Sequence, residues 1–130
     1  LGGDSTVDDS KALDNIILKD PKNWDKMFKA MDAVITSYKG TGRSLRHNLN
    51  FTMAAKTGTS QVVSIAQHEE YDSETLAARN RDHALFVAFA PVENPTIAIA
   101  VIVENGESAG RTAGPVAKAV MQEYLLGAQG

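Results

Sequence analysis

Two apolar runs late in the chain limit its fold more than any other feature. Leu85 to Ala90 and Ile97 to Val103 are rich in branched and aromatic residues, and each is too short to be an ordinary helix. The connection between them carries Pro91, Asn94 and Pro95, so the pair reads as a β-hairpin. Both runs are apolar at successive positions instead of alternating. Both faces of the pair therefore need cover, and helices are the expected cover.

Helical patterns flank that hairpin at a distance. In "DPKNWDKMFKAMDAVITSYKG", Asp20 suits a cap and Pro21 a first turn, while Trp24, Met27, Phe28, Met31, Val34 and Ile35 recur at three and four, with a stop at Gly40. Their spacing marks them as core residues in preference to a binding face. In "TAGPVAKAVMQEYLLGAQG", Pro115 lies early, Val116, Ala119, Val120 and Tyr124 share a face, and Gly127 ends the run. Residues 1–19 read as a flexible lead-in. The polar stretch after Val63 permits one short surface helix around Ser73 and Glu74. The order helix, strand, strand, strand, helix fits an α+β fold, an antiparallel sheet layered with helices.

The first strand holds the chemistry. "FTMAAKTGTSQVV", residues 51–63, starts as an apolar strand and then turns polar on both faces. Alternation sends Lys56, Gly58 and Ser60 to one side and Thr57, Thr59 and Gln61 to the other, which a central buried strand would not tolerate. An edge strand lining a cleft explains it, with Gly58 leaving room for a ligand alongside. Lys56 in a partly dry cleft would supply positive charge for a ligand carboxylate or for proton transfer. Thr57 and Thr59 would donate to the same carboxylate, and a backbone N–H at the end of the motif could face an oxyanion.

Composition excludes several alternatives. A formal charge of −3 argues against a nucleic-acid partner. Without cysteine there is no disulfide or thiolate metal site, and His47, His68 and His83 lack metal-ligand spacing, so neither metal nor cofactor is expected. The Asp82–His83 pair reads as structural, because neighbours on a strand point to opposite faces. Glu69, Glu70, Asp72 and Glu74 read as a solvated loop. Arg43 and Arg46, beside Gly40 and Gly42, could touch an anionic glycan, but a surface connection explains them as well. At 130 residues the chain is one domain at most.

"AAKTGTSQV", "RDHALFVAFAPVENPTIAIAVIVENG" and the terminal helix resemble the C-terminal part of the transpeptidase domain of class B penicillin-binding proteins, of the elongation-specific type (penicillin-binding protein 2). The resemblance is continuous from about Phe51 to Leu126 and extends to the preceding helix. It implies the penicillin-binding protein/serine β-lactamase-like fold, with residues 1–130 a partial transpeptidase domain. It makes Lys56, Thr57 and Gly58 the third active-site motif. Thr59 becomes the residue whose N–H completes an oxyanion hole and whose hydroxyl helps hold the carboxylate. Lys56 and Thr59 are thus the catalytic candidates, and Thr57, Gly58 and Thr59 the substrate-binding ones.

The implied substrate is the D-Ala-D-Ala end of a peptidoglycan stem peptide, cross-linked through an acyl-serine, with β-lactams as mimics and the cell-wall elongation machinery as partner. The implied location is the periplasmic face of the bacterial inner membrane, with an anchor upstream. The family's S-x-x-K and S-x-N motifs begin at none of the eight serines, 5, 10, 37, 44, 60, 64, 73 and 108. The expectation is a chain cut after them, inactive alone, with exposed apolar surface. Two rivals remain: a non-catalytic module capturing peptides by strand addition, and a fragment of a serine β-lactamase or β-lactam sensor.

Overall fold

The computed structural model describes residues 14–61 and 81–127. The elements are α1 (Lys22–Thr36), a 3-10 turn (Arg43–Arg46), β1 (Ala54–Ser60), β2 (His83–Ala90), β3 (Ile97–Val103) and α2 (Ala113–Leu126). The short helix expected near Ser73 falls outside the described residues, as does most of the lead-in. Residues 14–19 are irregular, with Ile16 and Ile17 exposed.

The three strands form one antiparallel sheet in the order β1-β2-β3. Register runs from Ala54 opposite Phe89 to Ser60 opposite His83, and from Ala84 opposite Val103 to Ala90 opposite Ile97. The hairpin closes with the Thr96 N–H on the Ala90 carbonyl at 2.9 Å. Its connection is pinned to the approach to β1 by the Thr52 hydroxyl, which donates to Glu93 Oε2 at 2.6 Å and accepts the Val92 N–H at 2.9 Å.

Alternation along β2 divides the sheet faces. Ala84, Phe86, Ala88 and Ala90 are buried with Ala55 in the main core, beneath the small residues Ala113 and Ala117 and the side chain of Met121 on α2. The opposite face is covered only in part. Phe28 of α1 meets Phe89 edge-on at 5.4 Å, but Val87 stays 44% and Ile102 66% exposed, and Ala98 and Ala100 are exposed with them. The expected two-sided cover is therefore complete on one face alone: α1 packs along β1 and leaves the β3 side of the second face open.

Both helices depart from their sequence reading in one respect. Asp20 does serve the start of α1, its carboxylate accepting the Lys22 N–H at 3.0 Å. The helix ends at Thr36, however, four residues before Gly40. There the chain folds back so tightly that a Cβ on Gly40 would lie 2.2 Å from the Val34 carbonyl oxygen. Gly42 then donates its N–H to that carbonyl at 3.0 Å, which satisfies a terminal acceptor that continued helix would otherwise have served. Along α1 only Ile35 is fully buried, while Met27 and Phe28 remain partly exposed.

In α2 the face expected inside is outside. Val116 (47%), Val120 (48%) and Tyr124 (55%) are exposed, and Ala119 with them; Ala113, Gly114, Ala117 and Met121 are buried. Small residues let the helix backbone approach the sheet and Leu45. A Cβ on Gly114 would come within 2.7 Å of a Leu45 methyl. Closeness of approach, not side-chain size, selected the buried face.

Candidate active site

β1 places Thr57 and Thr59 on one face and Lys56 and Gly58 on the other. The threonine pair forms one wall of a cleft of about 710 Å³. A second wall comes from the turn after α1, through Thr41, Arg43, Ser44, Arg46 and His47. The third is the segment after β3, Glu107 to Arg111. No single run of sequence contains the site.

Specific contacts hold the walls together. The Thr41 and Thr57 hydroxyls share a hydrogen bond of 2.9 Å, tying the turn to the strand. Gly110 lies against the same turn, where a Cβ would be 2.5 Å from the Thr41 carbonyl oxygen. Lys118 of α2 donates its ammonium to the His47 carbonyl.

The segment after β3 is anchored to the start of β2. Asn105 and Glu107 both take left-handed backbone conformations, with φ of 55° and 54°. Their N–H groups are received by His83 Nδ1 and the Asp82 carbonyl, each at 2.9 Å. Because His83 Nδ1 accepts, its ring proton belongs on Nε2. Arg81 Nε faces Glu107 Oε1 at 3.4 Å. Thr112 donates towards the carbonyls of Gly106 and Ser108, at 3.1 and 2.9 Å. The structural reading of Asp82 and His83 fits this: Asp82 is buried, and the pair shapes the loop that forms the cleft wall.

The cleft is cationic although the whole chain carries −3. Among the described residues Arg43, Arg46 and Arg111 line it, and the one lining carboxylate, Glu107, faces Arg81. Hydroxyls of Ser44, Ser108, Thr57 and Thr59 add neutral donors. Such a surface suits an anion. Among the described residues no cluster of His, Asp or Glu could hold a metal ion, and none is long and apolar enough as a helix to cross a membrane.

The candidate residues thus separate. Thr57 and Thr59 line the cleft. Lys56 does not: it is exposed, and its ammonium donates to the Thr57 carbonyl at 2.6 Å instead of occupying a partly dry cleft. Gly58 lies opposite Leu85, and a Cβ there would sit 3.3 Å from the Leu85 Cβ, so the missing side chain first serves strand packing. Thr41, Ser44, His47 and the Glu107–Arg111 wall were not singled out as site residues. Their signal was faint: arginines spaced around glycines at 40–46, and another arginine just after "VENG".

The penicillin binding protein transpeptidase domain model matches residues 9–122. The chain belongs to the penicillin-binding protein transpeptidase family. Within that family it is 50% identical over 105 residues to the peptidoglycan D,D-transpeptidase MrdA of Acinetobacter baumannii, a match covering 81% of this chain and 15% of that protein. The structure superposes on Pseudomonas aeruginosa PBP2 in complex with WCK 5153 with a TM-score of 0.73 and 42% identity, covering 91% of this chain and 23% of that one. It also superposes on PBP2 of Helicobacter pylori in complex with MreC, with a TM-score of 0.65 and 30% identity over 82% of this chain and 18% of the other. The chain therefore spans about 15% of the length of the curated relative, and its fold is that of part of the penicillin-binding protein transpeptidase domain.

Proposed function

We propose that this chain forms one wall of the active site of a peptidoglycan D,D-transpeptidase, and that the Thr57 and Thr59 hydroxyls hold the terminal carboxylate of a D-Ala-D-Ala stem peptide. The observation that carries the reading is the placement of both hydroxyls, two residues apart on the K-T-G-T strand, in a cleft bordered by three arginines. Two neutral donors fix the carboxylate's orientation, and the guanidinium charge draws it in. The Thr59 N–H is proposed as an oxyanion donor, a role worth on the order of 3 kcal/mol of transition-state stabilisation in acyl transfer.

The chemistry needs a serine that these 130 residues do not provide in an S-x-x-K motif. In the proposed reaction that serine, from polypeptide upstream, attacks the penultimate D-Ala carbonyl. The tetrahedral oxyanion collapses to an acyl-serine as D-Ala leaves with a proton, and an amine of a second stem peptide then displaces the serine to form the cross-link. Lys56 enters with its ammonium held on the Thr57 backbone, where it adds positive potential beside the carboxylate-binding hydroxyl. β-Lactams would enter as substrate mimics. The complex of H. pylori PBP2 with MreC supports the elongation machinery as partner, and a D,D-transpeptidase acting on the wall belongs at the periplasmic face of the inner membrane, anchored upstream.

Fluorescent penicillin tests the reading. The chain alone should take no covalent label; the same chain extended upstream to the length of its relatives should be labelled. In the extended protein, replacing both Thr57 and Thr59 by Val should slow labelling at least tenfold. Unchanged labelling in the double variant would remove the carboxylate-binding role. A second reading, peptide capture by strand addition, is favoured by the edge position of β1 among the described strands. It relies on backbone bonds, so it predicts peptide binding insensitive to the same double substitution.

A further inference from the structure

The two sides of the cleft differ in chemistry. The β1 side offers neutral hydroxyls, with Thr41 already bonded to Thr57. The far side offers permanent charge. Arg46 and Arg111 make no side-chain hydrogen bond or ion pair with any described residue, and Arg43 makes one long contact, 3.4 Å to the Gly40 carbonyl. Glu107, the one carboxylate among the described lining residues, faces Arg81, which lies outside the lining. A terminal carboxylate seated on Thr57 and Thr59 brings one negative charge to a cleft whose three arginines have no carboxylate partner among the described residues. The cleft, at about 710 Å³, is also in the range that encloses whole drug-sized ligands, more than two alanyl residues require.

We propose that Arg46 and Arg111 form a second anionic subsite, so that the cleft selects peptides bearing a side-chain carboxylate upstream of the D-Ala-D-Ala end. This rests on the proposed seating of the terminal carboxylate on β1. The planar guanidinium fork matches a carboxylate bidentately. The two arginines come from different segments, the 3-10 turn and the loop after β3, and these segments are held together through Thr41 and Gly110. The ligand that satisfies them must bridge from the hydroxyl wall across the cleft.

The test is an amide-resolved NMR titration of the chain with two acetylated tripeptides ending in D-Ala-D-Ala, one with Glu and one with Gln as the first residue. The Glu peptide should bind about fivefold tighter, the ratio that corresponds to one favourable exposed pair. The advantage should vanish at about 1 M salt, where the screening length is about 3 Å. In a variant carrying Arg46→Gln and Arg111→Gln the two peptides should bind alike, the Glu peptide having lost about fivefold more affinity than the Gln peptide. Both substitutions are at exposed positions, and an unchanged amide spectrum away from the cleft verifies the fold. Equal affinity of the two peptides for the unaltered chain overturns the proposal, as does a variant that weakens both equally, which would assign the arginines to the terminal carboxylate. Binding of neither peptide overturns the seating on β1 and the second subsite with it, whereas equal binding of the two peptides that is lost in Thr57→Val overturns the second subsite alone.

Discussion

Ala117→Leu should destabilise the chain by about 2 kcal/mol, whereas Val120→Ser should change stability by less than about 0.5 kcal/mol. Ala117 has no exposed surface and lies where α2 presses on the sheet, within the same core as Phe86, Leu45 and Met121. A leucine there adds three carbons to a contact that small residues created. Relief requires lifting the helix or forcing neighbours off their rotamers, and such overpacking costs roughly 1–3 kcal/mol. Val120 is 48% exposed at the margin of the buried face, so its loss removes far less buried area than a core residue would. Urea unfolding followed by far-UV circular dichroism reads both. With a slope of about 1.5–2 kcal/mol per molar for a chain of this size, the Ala117→Leu midpoint should fall by about 1 M and the Val120→Ser midpoint should barely move. A neutral Ala117→Leu together with a costly Val120→Ser would refute the assignment of the buried face, since the reverse facing predicts that pattern.

Glu93 gives a pH-dependent expectation. The hydrogen bond from Thr52, then one from its own backbone N–H, holds its carboxyl below the ordinary value of 4.5. A depressed pKa stabilises the fold above the unfolded value, and the contribution disappears as pH falls through the lower folded one. Titration of the Glu93 side chain by carbon NMR should give a midpoint below 4.5 that rises towards it in Thr52→Val; an unmoved midpoint would contradict the bond. Gly58→Ala forces a Cβ to 3.3 Å from the Leu85 Cβ, so it should lower stability by about 1–2 kcal/mol in the urea assay. Peptide affinity, measured on the folded fraction, should fall by less than about twofold; an intact stability with abolished binding would instead place Gly58 against the ligand.

The hairpin was legible because its signals are local. Continuous apolar runs and the prolines between them leave few alternatives, and β2 and β3 follow those runs closely. The start of α1 was legible for the same reason, since Asp20 and Pro21 act on the next residues. Its end was not, because Thr36 is last only by virtue of a turn that comes back to the Val34 carbonyl. The buried face of α2 was misread because periodicity weighs side chains by size. In the fold, Ala113, Gly114 and Ala117 were worth more for allowing contact than Val116 and Val120 were for their volume. The cationic walls of the cleft depend on segments separated in sequence; Thr41 and Thr57, hydrogen-bonded across two of them, are 16 positions apart.

Strand geometry also divides the labour within "KTGT". Read along the chain, four consecutive residues look like one ligand-binding unit. On a pleated strand they are two pairs. Thr57 and Thr59 face the cleft, the Thr57 hydroxyl hydrogen-bonded to Thr41. Gly58 faces Leu85, and Lys56 returns its ammonium to the Thr57 carbonyl. The second pair therefore acts on the first through the backbone: one residue permits close strand packing, and the other fixes charge to the peptide unit that carries the first hydroxyl. Residues adjacent in the sequence thus act at different places, joined by the strand that carries them.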